Sequence, residues 1–295
     1  MFNSCKSRNL RSAVATASIA VFIGIAGASS AAAEKLLVGN EGTYPPFSVV
    51  ASDGTLTGFE PDLAREVCKR MGDECEFVVM DFKALIPSLL QGKFHFLATQ
   101  LAPTPERLEK LTYGTPIVYN PTTFIVPKDS TLEFTKEGLE GKNLKVALQR
   151  GAASIPYIDK HFPDLFEKVL YDNPDQMRLD LMAGRLDLVF DSKINWTLEL
   201  IMTPEGEAWK LAGGDHWIGD ETIPEADRGY SWAVRKGDEA LIEKVNVAIK
   251  STIEDCTFTE IRKKYWRSPS SRRRNPAPPS NKPFKNILGK QSRHH

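Results

Sequence analysis

Arg107 closes the segment TQLAPTPER, where a strand-like stretch gives way to the Thr-Pro-Glu composition of a short helix start. A guanidinium in that position can meet a carboxylate through two parallel hydrogen bonds, and the free N–H groups of a helix start attract the same anion. Tyr44, in GTYPPF, follows a short apolar strand, where α/β sheets present loops to a cleft. A flat ring there can lie against an aliphatic stem or a cation. Together the two residues offer capture of a small carboxylate-bearing molecule, with no bond made or broken. Taken alone, each has a plainer reading: PERLEK is also an ordinary solvated helix start, and Tyr44 is also a core ring. No Rossmann or P-loop glycine pattern, HExxH or GxSxG occurs, which weakens the case for NAD, ATP or zinc chemistry, and no cofactor is expected. His95 alternates with Phe94 and Phe96 and reads as a packed or capped histidine, so no metal site is expected. His216 and Trp217, in GGDHWIGDET, read as a variable loop.

Strand and helix signals alternate along the chain, which implies α/β layering with largely parallel sheets. LLVGN is a strand, 62–71 a helix, ECEFVVM a strand, 83–90 a helix and FHFLATQ a strand. Pro61 sits where a first-turn proline is tolerated, and Asp81 is a fair N-cap for a helix carrying Leu85, Ile86, Leu89 and Leu90 on one face. After Lys142 the alternation restarts: NLKVALQR, a helix over 154–161, KVLYD, a helix over 175–183, and RLDLVFD. This reads as a second lobe. YSWAVRK is a strand leading to a helix in which Leu241, Val245, Ile249 and Ile253 recur every four residues. The chain crosses between lobes twice, and the extended stretches 119–127 and 228–234 are the natural places; paired crossings permit hinge closure.

The formal charge of zero hides a division, since all 38 acidic residues lie between Glu34 and Trp266 with 27 of the 38 basic ones, a body charge of −11. An acidic body suits a cationic ligand, and equally suits solubility. Residues 1–33 read as a secretory signal peptide: Lys6, Arg8 and Arg11 precede an apolar stretch over 13–27, and Ala31 and Ala33 form an A-x-A cleavage site. The apolar stretch is also nearly long enough to anchor a membrane, but the small-residue site behind it favours removal. Residues 267–295 are rich in Pro, Ser and Arg and are expected to be a disordered basic tail, a solvated end rather than a nucleic-acid contact. The roughly 230 residues between exceed what one core usually holds.

The blocks GTYPPF, GFEPDLAREVCKRM, DFKALIPSLL and TQLAPTPER, in this order, resemble the family 3 extracytoplasmic solute-binding proteins, particularly the lysine/arginine/ornithine and histidine receptors of bacterial ABC importers. The likeness runs from about Leu36 to Trp266. It implies a two-lobed periplasmic-binding-protein type II fold, with two mixed sheets flanked by helices and a two-segment hinge. Lobe 1 is then 34–120 with 228–266, and lobe 2 is 121–227. It also implies that Cys68 and Cys75, in an oxidising compartment, form a disulfide; two buried thiols are the alternative. Cys256 stands where the family usually has glycine and reads as structural or incidental.

The same resemblance supplies a ligand site. Tyr44 and Phe82 form an aromatic slot, although Phe82 also suits the apolar face of its helix. Glu41 meets a distal positive charge on the ligand, and Arg107 meets its carboxylate. Backbone groups around Thr99, Gln100 and Ala102 make a first-lobe cradle, and Gly151 and Ala153 of QRGAAS a second-lobe one. Ala102, Ala152 and Ala153 stand where hydroxyl residues are usual, which removes side-chain donors and leaves backbone ones. The carboxylate for the α-ammonium is Asp191, one position early in AGRLDLVFDS; Ser192 holds the ungapped register. The implied function is a monomeric periplasmic receptor that captures a polar or basic amino acid, or an opine-like derivative, and delivers it to a membrane permease. Cyclohexadienyl (arogenate/prephenate) dehydratases resemble these receptors and give the alternative, with Glu41 or Asp191 as proton donor. A sensor partner for a signalling receptor shares the same cleft.

Overall fold

The computed structural model describes residues 35–266. The expected signal peptide, 1–33, and the basic tail, 267–295, lie outside the described residues. In chain order the first half gives β1 (Lys35–Asn40), β2 (Thr43–Tyr44), β3 (Ser48–Val50), β4 (Leu56–Thr57), α1 (Phe59–Met71), β5 (Glu74–Val79), α2 (Phe82–Leu90), β6 (Phe96–Leu101), α3 (Pro105–Lys110) and β7 (Leu111–Tyr113). It continues through β8 (Thr122–Pro127), α4 (Lys136–Leu139), β9 (Leu144–Gln149), α5 (Ser154–His161), β10 (Phe166–Tyr171), α6 (Pro174–Met182), β11 (Leu188–Ser192) and α7 (Lys193–Trp196). It ends with β12 (Trp209–His216), β13 (Ser231–Arg235), α8 (Glu239–Glu254) and α9 (Thr257–Tyr265).

Two five-stranded mixed sheets result, ordered β5-β1-β6-β13-β7 and β10-β9-β11-β8-β12. Three strands in each run parallel, and the next one, which arrives from the other half of the chain, is antiparallel to its neighbours: β13 in the first sheet, β8 in the second. Each sheet is buried on both faces, and side chains alternate between two cores with the period of two that a strand imposes. Phe96 and Ala98 of β6 join the core against α1, α8 and α9, whereas Leu97 and Leu101 face α2. In the second sheet Phe124 and Val126 enter one core and Ile125 the opposite one. This two-sided burial is why the strands read as nearly continuous apolar runs.

The crossings lie side by side. Val118 and Tyr230 form an antiparallel bridge, with Tyr230 N donating to Val118 O at 2.8 Å and Ile117 N to Tyr230 O at 2.9 Å. Cys68 and Cys75 are bridged, with Cα atoms 5.8 Å apart, tying the end of α1 to β5. His95 precedes β6 and accepts the Leu37 N–H on Nδ1 at 2.9 Å, the capped role expected of it.

Three local expectations are corrected. Helix α1 begins at Phe59 rather than 62, so Pro61 occupies the first turn, where N–H groups have no helical partner. Asp81 holds the N-cap position of α2 without a side-chain cap bond. On α8 the buried face is Ile242, Val245, Ala248, Ile249 and Thr252, while Ile253 is 50% exposed. At 3.6 residues per turn a strict four-residue spacing drifts by about 40° per step, so the last member rotates out to solvent.

Candidate functional site

A cavity opens where the carboxyl ends of the parallel strands of the two sheets face each other, the position at which open α/β sheets bind ligands. Glu41 and Tyr44 follow β1, Phe82 follows β5, and Gln100 and Ala102 lie at the end of β6. From the second sheet come Gln149 at the end of β9, Ala152, Ala153 and Ser154 at the start of α5, and Asp191 and Ser192 at the end of β11. Asn120, Thr122 and Tyr230 enter from the two crossings, and Ile218 from the loop after β12.

Arg107 reaches this cavity because α3 is short and well started. Pro105 occupies its first turn, and Thr104 caps it, accepting the Arg107 N–H on Oγ1 at 3.3 Å. The guanidinium is 8% exposed and donates through Nη1 to Ala102 O at 3.0 Å and through Nη2 to Gly151 O at 2.9 Å, so it joins the two halves. Its Cζ stands 5.8 Å from the centre of the Phe82 ring, within cation–π range. Phe82 also packs with Leu85 and Leu89, so the core reading and the cavity reading of this ring both hold.

Three carboxyls gather here against that single lining guanidinium. Glu41 is buried, accepts Gln149 Nε2 on Oε2 at 3.4 Å, and leaves Oε1 without a hydrogen-bond partner. Burial pushes its carboxyl well above the usual range, and Glu60 and Asp191 push in the same direction. Asp191 accepts the Tyr44 hydroxyl at 2.7 Å and the Trp196 indole N–H at 2.9 Å. Burial raises its carboxyl too, and these two donors hold it back. Behind the lining, Glu60 accepts Gln100 Nε2 at 3.1 Å, and burial pushes it up to about 8. With Glu41 and Asp191 ionised the lining carries one negative charge in excess of Arg107.

Further contacts draw the halves together around the cavity. Lys83 pairs with Asp172 at 2.8 Å, Asp220 N donates to Pro103 O at 2.8 Å, and Asn195 Nδ2 donates to Pro45 O. Gly151 lies against α2 at φ +78°, and a Cβ there would stand 2.9 Å from Lys83 Cα.

Of the residues expected at the site, Glu41, Tyr44, Phe82, Gln100, Ala102, Arg107, Ala153 and Asp191 line one cavity. Thr99 is buried inside β6, outside the lining, and Gly151 takes part through its carbonyl. Asp191 and Ser192 both face the cavity, so the one-residue ambiguity in register does not separate them. Sequence reading missed Asn120, Thr122, Gln149, Ser154, Ile218 and Tyr230 as lining residues, whereas it places Ala152 and Ser192 at the site without counting on either for a contact. Gln149 and Ser154 stand within the QRGAAS turn that carried the expectation, and Thr122, Ser154 and Ser192 supply hydroxyl residues near the alanines. His216 is not in an open loop: it ends β12, its ring centred 5.5 Å from that of Phe124, and Nδ1 bonds the Tyr157 hydroxyl at 3.0 Å. Trp217 is buried against Tyr230, Ala102 and Ala153, beneath the cavity wall.

A family model described as bacterial extracellular solute-binding proteins, family 3, matches residues 36–268. The histidine-binding periplasmic protein of Escherichia coli K12 is 30% identical over 249 residues, covering 84% of this chain and 94% of the relative. The L-arginine-binding protein of Pseudomonas aeruginosa is 30% identical over 241 residues, covering 80% of this chain and 89% of the relative. Among solved structures, an ancestral arginine-binding protein bound to arginine superposes with a TM-score of 0.69 at 30% identity, covering 78% of this chain and 97% of that one.

Proposed function

The chain belongs to the bacterial extracellular solute-binding proteins, family 3, and from that membership we propose that it captures an amino acid with a cationic side chain for an ABC importer. It is a periplasmic amino acid-binding protein, not an enzyme. The observation that carries the specificity is the charge arrangement of the cavity: one guanidinium and two carboxylates, the complement of a ligand with one carboxylate and two cationic groups. Arg107 takes the carboxylate, with backbone N–H groups near Ala102 and Ala153 beside it. Asp191 takes the α-ammonium. The aliphatic stem runs between Tyr44 and Phe82, and the distal cation meets Glu41, whose Oε1 is an acceptor without a partner.

Binding favours the closed arrangement because the ligand touches groups on both lobes at once, taken as 34–120 with 228–266 and 121–227. The closed, loaded form is what a membrane permease receives, and the signal peptide over 1–33 places the monomeric protein in the periplasm. A thermal-shift screen of the common amino acids and arginine conjugates, followed by calorimetry, tests the assignment. Arginine, lysine, ornithine or histidine, or a conjugate of one, is expected to bind at micromolar or tighter affinity. Stabilisation by acidic or apolar amino acids alone overturns the specificity.

Gly151 gives a test of closure. An alanine there needs a left-handed backbone that costs of order 1 kcal/mol or more, and its methyl group meets the α2 backbone of the facing lobe. Gly151→Ala is expected to weaken calorimetric affinity about tenfold or more while the unliganded melting temperature stays within a few degrees. A variant that binds as tightly as wild type removes the close approach from the mechanism.

A further inference from the structure

We infer that residues 217–223 form a strap that fastens the two halves beside the ligand cavity and sets the rate at which a bound amino acid leaves, with Trp217 and Glu221 as its positioning residues. The inference goes beyond the proposed specificity, because it concerns release of whichever amino acid is bound.

The strap follows β12 and is anchored at its start. Trp217 packs on Ala153 of its own half, on Ala102 of the other, and against Tyr119 and Tyr230 of the two crossings. Its indole N–H donates to Asp220 O at 2.9 Å, which curls the chain over the ring. Gly219 permits the curl, since a Cβ there would stand 2.3 Å from the Trp217 ring. Ile218, inside the curl, lines the ligand cavity. Held in this way, the Asp220 N–H crosses the seam and donates to Pro103 O at 2.8 Å. Pro103 stands in the short stretch that also supplies Ala102 O to Arg107 and the Thr104 cap of α3. The strap therefore grips from outside the segment that holds the carboxylate anchor.

Beyond this bond the strap is held by charge. Glu221 pairs with Lys160 at 2.7 Å and with His161 at 2.9 Å, both in the last turn of α5. Asp220 Oδ1 accepts the N–H and the hydroxyl of Thr222, and Arg228 Nε donates to Ile223 O at 3.1 Å. Under Gly219 to Thr222 lies a cavity of about 380 Å³, walled by the start of α3, by α5 and by the strap itself. A segment with few apolar contacts behind it opens locally at low cost. The outer part of the strap thus unfastens by breaking one hydrogen bond across the seam, without opening either core. That bond exists only in the closed arrangement, so it slows departure and leaves capture by the open form untouched.

Stopped-flow measurement of release from the mature protein is the test, with the tightest binder among L-arginine, L-lysine, L-histidine, L-glutamine and L-glutamate as probe. Trp217→Phe keeps an aromatic ring and loses the N–H, and Glu221→Gln loses the ion pairs. Each is expected to raise the release rate about threefold to tenfold, the scale of one hydrogen bond, with the association rate within about twofold of wild type. Asp215→Asn is the control: it removes the ion pair with Lys193 just before the strap, inside one half, and should leave both rates within about twofold. An unchanged release rate in either strap variant overturns the inference, as does an equal rise in Asp215→Asn or a loss of affinity carried by slower association. Should Trp217→Phe not fold, Glu221→Gln decides by the same criteria, because its ion pairs are exposed. L-Glutamate or L-glutamine as the tightest binder overturns the proposed specificity and leaves this test intact, whereas tight L-arginine binding with unchanged release in the variants overturns this inference alone.

Discussion

Arg107→Ala is expected to abolish amino acid binding across the whole ligand range, by about two to four orders of magnitude in affinity. Two hydrogen bonds between a guanidinium and a carboxylate are each worth roughly 1.5–3 kcal/mol, and about 1.4 kcal/mol is a factor of ten. The loss should not depend on the ligand side chain, because the carboxylate is common to all amino acids. The same substitution strips Gly151 O of its donor across the cleft, while Ala102 O keeps the Tyr113 hydroxyl and the Thr104 N–H, so the closed arrangement is weakened along with the contact.

Arg107→Lys sharpens the point. It keeps the positive charge but loses the planar fork, so it should recover less than about tenfold of the lost affinity. Calorimetry on both variants, with circular dichroism to confirm folding, checks the result. The guanidinium borders the cavity rather than filling either sheet's core, so melting of the unliganded protein should shift by only a few degrees. Affinity within threefold of wild type in folded Arg107→Ala would remove the carboxylate assignment.

How much of this site was legible in advance follows from where each residue lies. The strands were readable because two-sided burial writes long apolar runs, as in FLATQL and LVFDS. Helix α5 was readable to its ends, while α1 starts at Phe59 rather than 62, with Pro61 inside the first turn, where such a proline is tolerated. Site residues were recoverable when they stood beside a recognisable turn, as Glu41 and Tyr44 do in EGTYPPF. Ile218 and Tyr230 had no such signal, since they reach the cavity only through folding that brings β12 and the second crossing against Ala153 and Ala102. The link from Glu60 to Gln100 spans 40 positions and needs two side-chain orientations, neither written in local composition.

Glu41→Gln should divide ligands by charge, lowering affinity for arginine and lysine by about two to three orders of magnitude and for glutamine by less than about threefold. The scale follows from leaving a desolvated cation without its partner, roughly 3–5 kcal/mol. Calorimetry with the three ligands measures it; a uniform loss would assign Glu41 to structure, and no loss would remove it from the distal subsite.

The pH dependence carries the same assignment with a definite sign. Burial raises Glu41 and Asp191, and takes Glu60 from 4.5 to about 8, so the folded state holds protons that the unfolded state has already released. Stability of the unliganded protein must then fall as pH rises from the ordinary carboxylate range through about 8. A cation in the cavity reverses the cause by giving Glu41 a partner. Arginine binding should release protons near neutral pH, arginine affinity should increase from pH 5 to 8, and the melting temperature of the complex should depend on pH less steeply than that of the free protein. In Glu41→Gln the free protein should gain stability at pH 8, and arginine should release fewer protons. Calorimetry in buffers of different ionisation enthalpy counts those protons directly. Proton uptake on arginine binding, or an affinity that falls as pH rises, would mean that the buried carboxyls are not what the ligand's positive charge meets.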